Sequence, residues 1–251
     1  MVNIPVIYSD SEILVLDKPS GLIVDPADSV KVETLADISS REFGIKLSRG
    51  GIVHRLDKDT SGIILLAKTE KSLENLQAQF KERKTKKEYW ALVHGNVAAA
   101  GRVEGDIGRN PGNREKFTVL EEGKEALTEY EPIKKLTMEN GQLVNIFEDF
   151  NKIQMRKLER MKYNQFTLLK CFPKTGRTHQ IRVHLKHIGF PIVSDEKYVG
   201  RKMYRLDKRW CTRLFLHAKR LGFYHPESNE LMELEAPLPE DLKEALYNLS
   251  S

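Results

Sequence analysis

Apolar positions along this chain come in two rhythms: short unbroken runs, and stripes at helical spacing. Ile13-Leu14-Val15-Leu16 is one run, broken by Asp17-Lys18-Pro19-Ser20-Gly21, and Ile63-Ile64-Leu65-Leu66-Ala67 is another. Runs this short, bounded by turn residues, predict buried strands. Tyr89-Trp90-Ala91-Leu92-Val93, Phe166-Thr167-Leu168-Leu169-Lys170-Cys171, Leu214-Phe215-Leu216-His217-Ala218 and Leu231-Met232-Glu233-Leu234 predict four more. Leu73, Leu76 and Phe80 recur at helical spacing and predict an amphipathic helix over Ser72 to Arg83. Ile181, Leu185 and Ile188 predict another, opening at Arg177-Thr178-His179-Gln180 and stopped by Gly189, with His179, Arg182 and Lys186 on a neighbouring face. Leu242, Ala245, Leu246 and Leu249 predict a terminal helix from Pro239. Between Gly101 and Glu131, glycines and short alternating runs suggest a meander. Strands and helices mix irregularly, which argues for an α+β fold and against a doubly wound sheet.

Leu136 to Tyr163 fits neither rhythm well. Phe147, Phe150, Ile153, Leu158 and Met161 form an imperfect helical stripe among Lys152, Arg156, Lys157, Arg160 and Lys162. Such a segment is either a solvated, charged insertion or an arm that grips a polyanion.

Charge sharpens this picture. The chain has 251 residues and a formal net charge of +5, an excess too modest to prove a nucleic-acid partner by itself. Its cations cluster at Lys81–Lys87, Lys152–Lys162, Lys170–Lys186 and Arg201–Arg220. Tyr89, Trp90, Tyr198, Tyr204 and Trp210 lie within or near three of these clusters, a mixture suited to phosphate contact and base stacking. Cys171 and Cys211 are too far apart in sequence to suggest a disulfide framework or zinc pattern, and no metal site is expected. Met1-Val2-Asn3-Ile4-Pro5 lacks the character of a leader, and no apolar run approaches a membrane span. The expectation is a reduced, cytoplasmic protein with no membrane partner, folded as a single domain over 1–251 with a basic insertion at 136–163.

The densest chemistry lies in Gly50-Gly51-Ile52-Val53-His54-Arg55-Leu56-Asp57-Lys58-Asp59-Thr60-Ser61-Gly62. Asp57 sits among cations, fenced by glycines, and runs at once into a buried strand. Glycines permit backbone angles and close approaches that other residues resist. The loop therefore reads as one that presents a carboxylate to a closely approaching ligand.

His54-Arg55-Leu56-Asp57 with Thr60-Ser61-Gly62 resembles the catalytic loop of the RluA family of RNA pseudouridine synthases. Gly176-Arg177-Thr178-His179-Gln180-Ile181-Arg182-Val183-His184 is similar to that family's second motif, and Lys87-Glu88-Tyr89 to its third. The resemblance runs from about Ile7 to Pro237, most specifically at 50–67 and 173–189. It implies a pseudouridine synthase fold: a mixed, mostly antiparallel sheet with flanking helices and a central catalytic cleft. It implies Asp57 as the essential carboxylate, Arg182 as its cation and Tyr89 as the ring that stacks on the base. Arg55 would take the place of the extruded base. His54, Thr60, Ile181 and Leu216 would complete the substrate-binding set, His54 by contacting either substrate or its own loop. The 136–163 segment is longer than the family leads one to expect, and the short stretch before the first strand leads one to expect no S4-type RNA-binding module there.

The implied reaction breaks a C–N glycosidic bond and forms a C–C bond on one extruded nucleotide. It has no redox step, so no cofactor is implied. Whether Asp57 acts as nucleophile or base is not legible in sequence. The expected partner is structured RNA, a ribosomal or transfer RNA stem-loop, bound by a monomer. One rival is a non-catalytic RNA-binding assembly factor, which the presence of both Asp57 and Arg182 disfavours. Another is a carboxylate glycosidase. It would need a second acid across the sugar, and Asp59 is poorly placed for that.

Overall fold

The structure is a computed structural model that describes residues 4–25 and 32–249. Met1–Asn3, read above as lacking leader character, lie outside the described residues. Along the chain come β1 (Val6–Ser9), β2 (Ile13–Lys18), α1 (Leu35–Glu42), β3 (Ser61–Ala67), α2 (Glu70–Lys81) and β4 (Lys86–His94). Then follow β5 (Gly101–Glu104), β6 (Asp106–Asn110), β7 (Asn113–Leu120), β8 (Leu127–Thr137), α3 (Asn140–Ile146) and α4 (Lys152–Arg160). The remainder is β9 (Gln165–Pro173), α5 (Gln180–His187), α6 (Arg201–Asp207), β10 (Leu216–Tyr224), β11 (Leu231–Glu235) and α7 (Glu240–Tyr247). The strands are mostly antiparallel, as an α+β fold requires. They divide into two compact units, residues 1–88 with 217–237, and residues 89–216 with 238–251.

In the first unit, β2 pairs antiparallel with β1 and β3, and β10 pairs parallel with β3 and antiparallel with β11. All seven residues of β3 are buried, which explains its unbroken apolar run. The helix expected from Ser72 to Arg83 forms two residues earlier, over Glu70–Lys81. Thr69 accepts from the Ser72 amide and caps α2, and Leu73 and Leu76 are buried. Two glycines are spent on close backbone packing within the unit. Gly51 has φ +74°, and a Cβ there would lie 2.1 Å from the Ala67 carbonyl oxygen. Gly62 has φ +114°, and a Cβ would lie 2.2 Å from the Ala218 carbonyl oxygen, where β3 meets β10. The glycine fence around Asp57 thus lets the chain approach itself; the expectation of room for a ligand gives way to this packing.

In the second unit, β9 runs between β4 and β8, β8 also pairs with β5, and β6 and β7 form a separate hairpin; all these pairings are antiparallel. The β8–β9 register shifts between Pro132 and Lys134, where proline has no amide to donate. Helix α5 packs on β5, β7, β8 and β9. It starts at Gln180, later than the sequence suggests. His179 adopts φ +57° and lies outside the helix, so it does not share a face with Arg182 and Lys186. Buried Gln180 explains the late start. Its Oε1 accepts from Thr175 Oγ1 at 2.6 Å and the Arg177 amide at 3.0 Å, and its Nε2 donates to the Leu127 carbonyl at 2.9 Å. The amide side chain folds the preceding turn and ties it to β8, leaving the backbone to coil only afterwards.

The 136–163 segment forms two short helices, and its stripe divides differently from the sequence reading. Leu143, Phe147, Leu158 and Tyr163 join the core of the second unit, while Ile153 is 78% exposed and Met161 37% exposed. Tyr198 and Trp210, read as stacking surfaces within cation clusters, are also buried. The Trp210 indole donates to Tyr163 Oη at 2.9 Å, and Tyr198 Oη accepts from the Phe117 amide at 3.0 Å. These rings belong to the core and are not available to bases.

Gly62→Ala combines a disfavoured backbone angle with contact against carbonyl oxygen. We expect it to cost at least about 3 kcal/mol, read as a lower urea midpoint. A wild-type midpoint would show that β3 and β10 are not packed backbone to backbone at this point.

Candidate active site

The Asp57 loop lies wholly in the first unit and is pinned along its backbone. Lys18, at the end of β2, is fully buried. Its ammonium donates to the carbonyls of Pro19 at 2.9 Å, Leu22 at 2.8 Å and Lys58 at 3.0 Å. The Gly21 amide also reaches the Lys58 carbonyl at 2.8 Å, and Ser20 Oγ donates to the Asp59 carbonyl at 2.8 Å. The turn after β2 therefore fixes the two residues that follow Asp57. The backbone carbonyl of Asp57 closes its own turn by accepting from the Thr60 amide at 3.2 Å. Thr60 is buried, and its Oγ1 has no hydrogen-bond partner among the described residues. Arg55 is exposed, and its side chain makes no ion pair among the described residues.

His54 holds the other end of the loop. Its Nε2 accepts from the Leu65 amide at 3.1 Å, which places the ring proton on Nδ1. Its ring stacks on Phe80 of α2, centroids 4.6 Å apart. Burial, with Lys87 adding to it, lowers its pKa to about 3, so the imidazole is neutral.

Arg182 lies in the second unit, on α5, and is buried. Asp195 grips it at two points, Nε to Oδ2 at 2.8 Å and Nη2 to Oδ1 at 2.9 Å. The Tyr198 ring lies 5.1 Å from the guanidinium carbon. Two-point pairing fixes the plane as well as the position of the cation. Asp195 Oδ1 also accepts from the amides of Lys197 at 3.0 Å and Tyr198 at 3.2 Å, so one carboxylate both folds its turn and orients the arginine. The preceding residue, Ser194, has φ +55° and is held by its amide to Asp207 Oδ2 at 2.8 Å. Asp207 is itself fully buried and accepts from Tyr163 Oη at 2.8 Å and from His94 Nε2 at 3.0 Å.

Tyr89 begins the second unit's share of β4, opposite Cys171, and is half-buried against the same apolar core that holds Ile181 and Leu216. The structure thus groups Tyr89, Ile181 and Leu216 on one core, with Arg182 next along α5. It groups His54, Arg55, Asp57 and Thr60 on one loop of the first unit. Sequence reading missed Asp195, Asp207 and Lys18. Asp195 stands thirteen residues from its partner. Lys18 in a Lys-Pro turn gives no hint that its ammonium is sealed inside. Both cysteines are buried, and burial raises the Cys211 thiol to about 12 and Cys171 higher still, far from thiolate chemistry.

Comparison with known proteins places this arrangement. Residues 12–187 match the family described as RNA pseudouridylate synthase. The chain is 37% identical over 258 residues to the uncharacterized RNA pseudouridine synthase YlyB of Bacillus subtilis, covering 99% of this chain and 73% of that one. It is 36% identical to ribosomal large subunit pseudouridine synthase D of Pseudomonas aeruginosa, covering 96% of this chain and 70% of that one. Among solved structures, human RNA pseudouridylate synthase domain containing 1 superposes with a TM-score of 0.70 at 25% identity, covering 94% of this chain and 84% of that one. Human RNA pseudouridylate synthase domain containing 4 shares the fold, with a TM-score of 0.68. The fold and these likenesses define an isomerase that acts on RNA. The chain belongs to the RNA pseudouridine synthase family. Among the described residues, no helix is long and apolar enough to cross a membrane.

The neutral His54 generates a pH prediction. Unfolded, its imidazole takes a proton near the ordinary value of 6.5; folded, it resists until about 3. The unfolded chain therefore binds more protons in between, and stability falls as pH drops below 6.5. For a partly exposed ring the loss between pH 6.5 and pH 5 is on the order of 1 kcal/mol. His54→Gln keeps an acceptor for Leu65 and removes the titration, so urea midpoints should fall less on acidification than in the wild type. Equal acid sensitivity in the two proteins would place a proton on the folded imidazole.

Proposed function

We propose that this enzyme isomerises uridine in ribosomal RNA of the large subunit, as a cytoplasmic monomer, with Asp57 as the catalytic carboxylate. The substrate rests on the relatives named ribosomal large subunit pseudouridine synthase D. The catalytic assignment rests above all on the Asp57 loop, which lies within the family match and whose backbone is pinned by Lys18 and Ser20; Arg182, held at two points by Asp195, is the cation assigned beside it. In this reading Arg182 is the cation that keeps Asp57 ionised while the glycosidic bond breaks, whether Asp57 acts as nucleophile or as base. Tyr89 stacks on the detached uracil while it turns to present its carbon, and Ile181 and Leu216 supply apolar walls that exclude water. Arg55 fills the space left by the extruded base. Thr60 offers its unpartnered hydroxyl to substrate. His54 holds the loop through the Leu65 amide. The target is a compact stem-loop, recognised mainly through its shape.

Ribosomal RNA transcribed with 5-tritiated uridine provides the test. Isomerisation releases tritium to water without free uracil, and appearance of uracil would exclude the reaction. Asp57→Asn should bind the RNA with unchanged affinity, because phosphate contacts dominate binding, and should release no measurable tritium. Turnover at even a hundredth of the wild-type rate would remove Asp57 from the essential role.

Asp195→Asn tests the positioning of Arg182. It keeps the shape of the clamp but loses its charge. Breaking a buried pair costs about 3–5 kcal/mol of stability, so rates are compared at a temperature where circular dichroism shows the variant folded. We expect kcat to fall at least ~10-fold, equivalent to ~1.4 kcal/mol of barrier, with little change in KM. An unchanged kcat would mean that Arg182 needs no clamp.

A further inference from the structure

The four cation clusters in the sequence fare differently in the fold. Lys84 pairs with Glu82 at 2.6 Å, Lys170 with Glu131 at 3.5 Å, Lys174 with Glu129 at 2.7 Å and Lys219 with Glu235 at 2.9 Å. The cations of α4 and α6 behave otherwise. These helices line a cleft of about 720 Å³ in the second unit. Lys157 faces it from α4, and Arg201, Lys202, Arg205 and Arg209 face it from α6 and the turn beyond; among the described residues no carboxylate lines it.

Arg209 is the fixed member. It pairs with Asp149 at 2.8 Å, and its guanidinium carbon lies 4.9 Å from the centre of the Phe150 ring. Lys157, Arg201 and Arg205 are exposed, and among the described residues their side chains have no acidic partner. Arg201 and Arg205 stand at i and i+4, where like charges oppose helix formation. Burial cannot be what these cations supply, since they project into solvent. Their spacing along the helix axis is about 6 Å, a stride that suits successive phosphates of a nucleic-acid strand. A single small anion would need convergent donors, whereas these lie in a row with a facing cation on α4. The floor is apolar, formed by Phe150, Leu158 and Leu206, and suits the sugar face of a strand.

We propose that the cleft between α4 and α6 is a second RNA-binding site, holding the sugar–phosphate backbone of the substrate at nucleotides other than the target uridine. This deepens the reading that the enzyme modifies ribosomal RNA and rests on it. It also gives the 136–163 segment a role, because α4 is one wall of the cleft.

The test compares the triple variant Lys157→Gln, Arg201→Gln, Arg205→Gln with wild type, using unmodified ribosomal RNA transcript as the probe. Filter-binding affinity is measured across a salt series, alongside kcat and KM from tritium release. We expect Kd and KM to rise at least ~10-fold with kcat unchanged, and the log–log salt slope to shrink by about 0.7–0.9 for each phosphate no longer neutralised. A control triple, Lys71→Gln, Lys134→Gln, Lys243→Gln, removes the same charge elsewhere and should leave the slope closer to wild type. Arg201→Lys with Arg205→Lys retains charge, so it should retain the slope if loss of charge and not misfolding is the cause. Unchanged affinity and slope in the triple variant overturn the proposal, as does an equally weakened control. Binding of inorganic tripolyphosphate that the triple variant loses, with RNA affinity intact, would instead make the cleft a small-anion site and also overturn it. Binding ratios do not depend on turnover. A wild type that releases no tritium would refute the proposed reaction while leaving the cleft's result readable.

Discussion

A guanidinium withdrawn from water must be met by partners inside the protein, and Asp195 meets that of Arg182 at two points. Much of the second unit is arranged to deliver that carboxylate. Asp195 terminates a turn whose preceding residue, Ser194, occupies the left-handed region and is secured by Asp207. Asp207, fully buried, is met in turn by Tyr163 and His94. Each acid along this line is costly to bury alone and tolerable only when its hydrogen bonds are complete. The result is a rigid polar seam inside an apolar core, and Arg182 inherits its precision from it.

The same seam explains why the basic 136–163 segment can be long without being loose. Its last residue, Tyr163, donates to Asp207 and accepts from the Trp210 indole, while Phe147 and Leu158 pack into the core. An exposed, positively charged surface is thereby mounted on a fixed base. In the first unit the corresponding base is Lys18, whose sealed ammonium holds three backbone carbonyls of the turns around Asp57. In both units, groups that would ordinarily face water are turned inward to hold functional loops still.

The elements that sequence reading located share one property: their apolar period is unambiguous. The unbroken runs of β2, β3, β4 and β9 and the stripes of α2 and α7 reflect burial that local spacing records directly. Strand β1, with only Val6-Ile7-Tyr8-Ser9, is too short for period to identify it, and helices α1 and α6 are too mixed in their apolar and polar positions. Helix α1 did carry a local mark in Thr34 and Asp37, which form a capping box. At the site, the family motifs marked Asp57, Tyr89 and Arg182, whereas the groups that hold the motifs in place were not legible. Asp195 meets Arg182 only through a tertiary turn, and Lys18 looks like any exposed turn lysine until the fold encloses it. Tyr198 and Trp210 misled for the opposite reason. Amphipathic rings next to cations have the same composition whether they face RNA or line a core, and only burial separates the two.

Both thiols of the chain, Cys171 and Cys211, lie in the second unit and are sealed from solvent with strongly suppressed ionisation. A thiol reagent added to the native enzyme therefore has nothing to attack until that unit opens. Nature has left the protein with an internal clock: the rate of sulfur labelling reports the breathing of one half of the molecule, while the half that carries Asp57 stays silent.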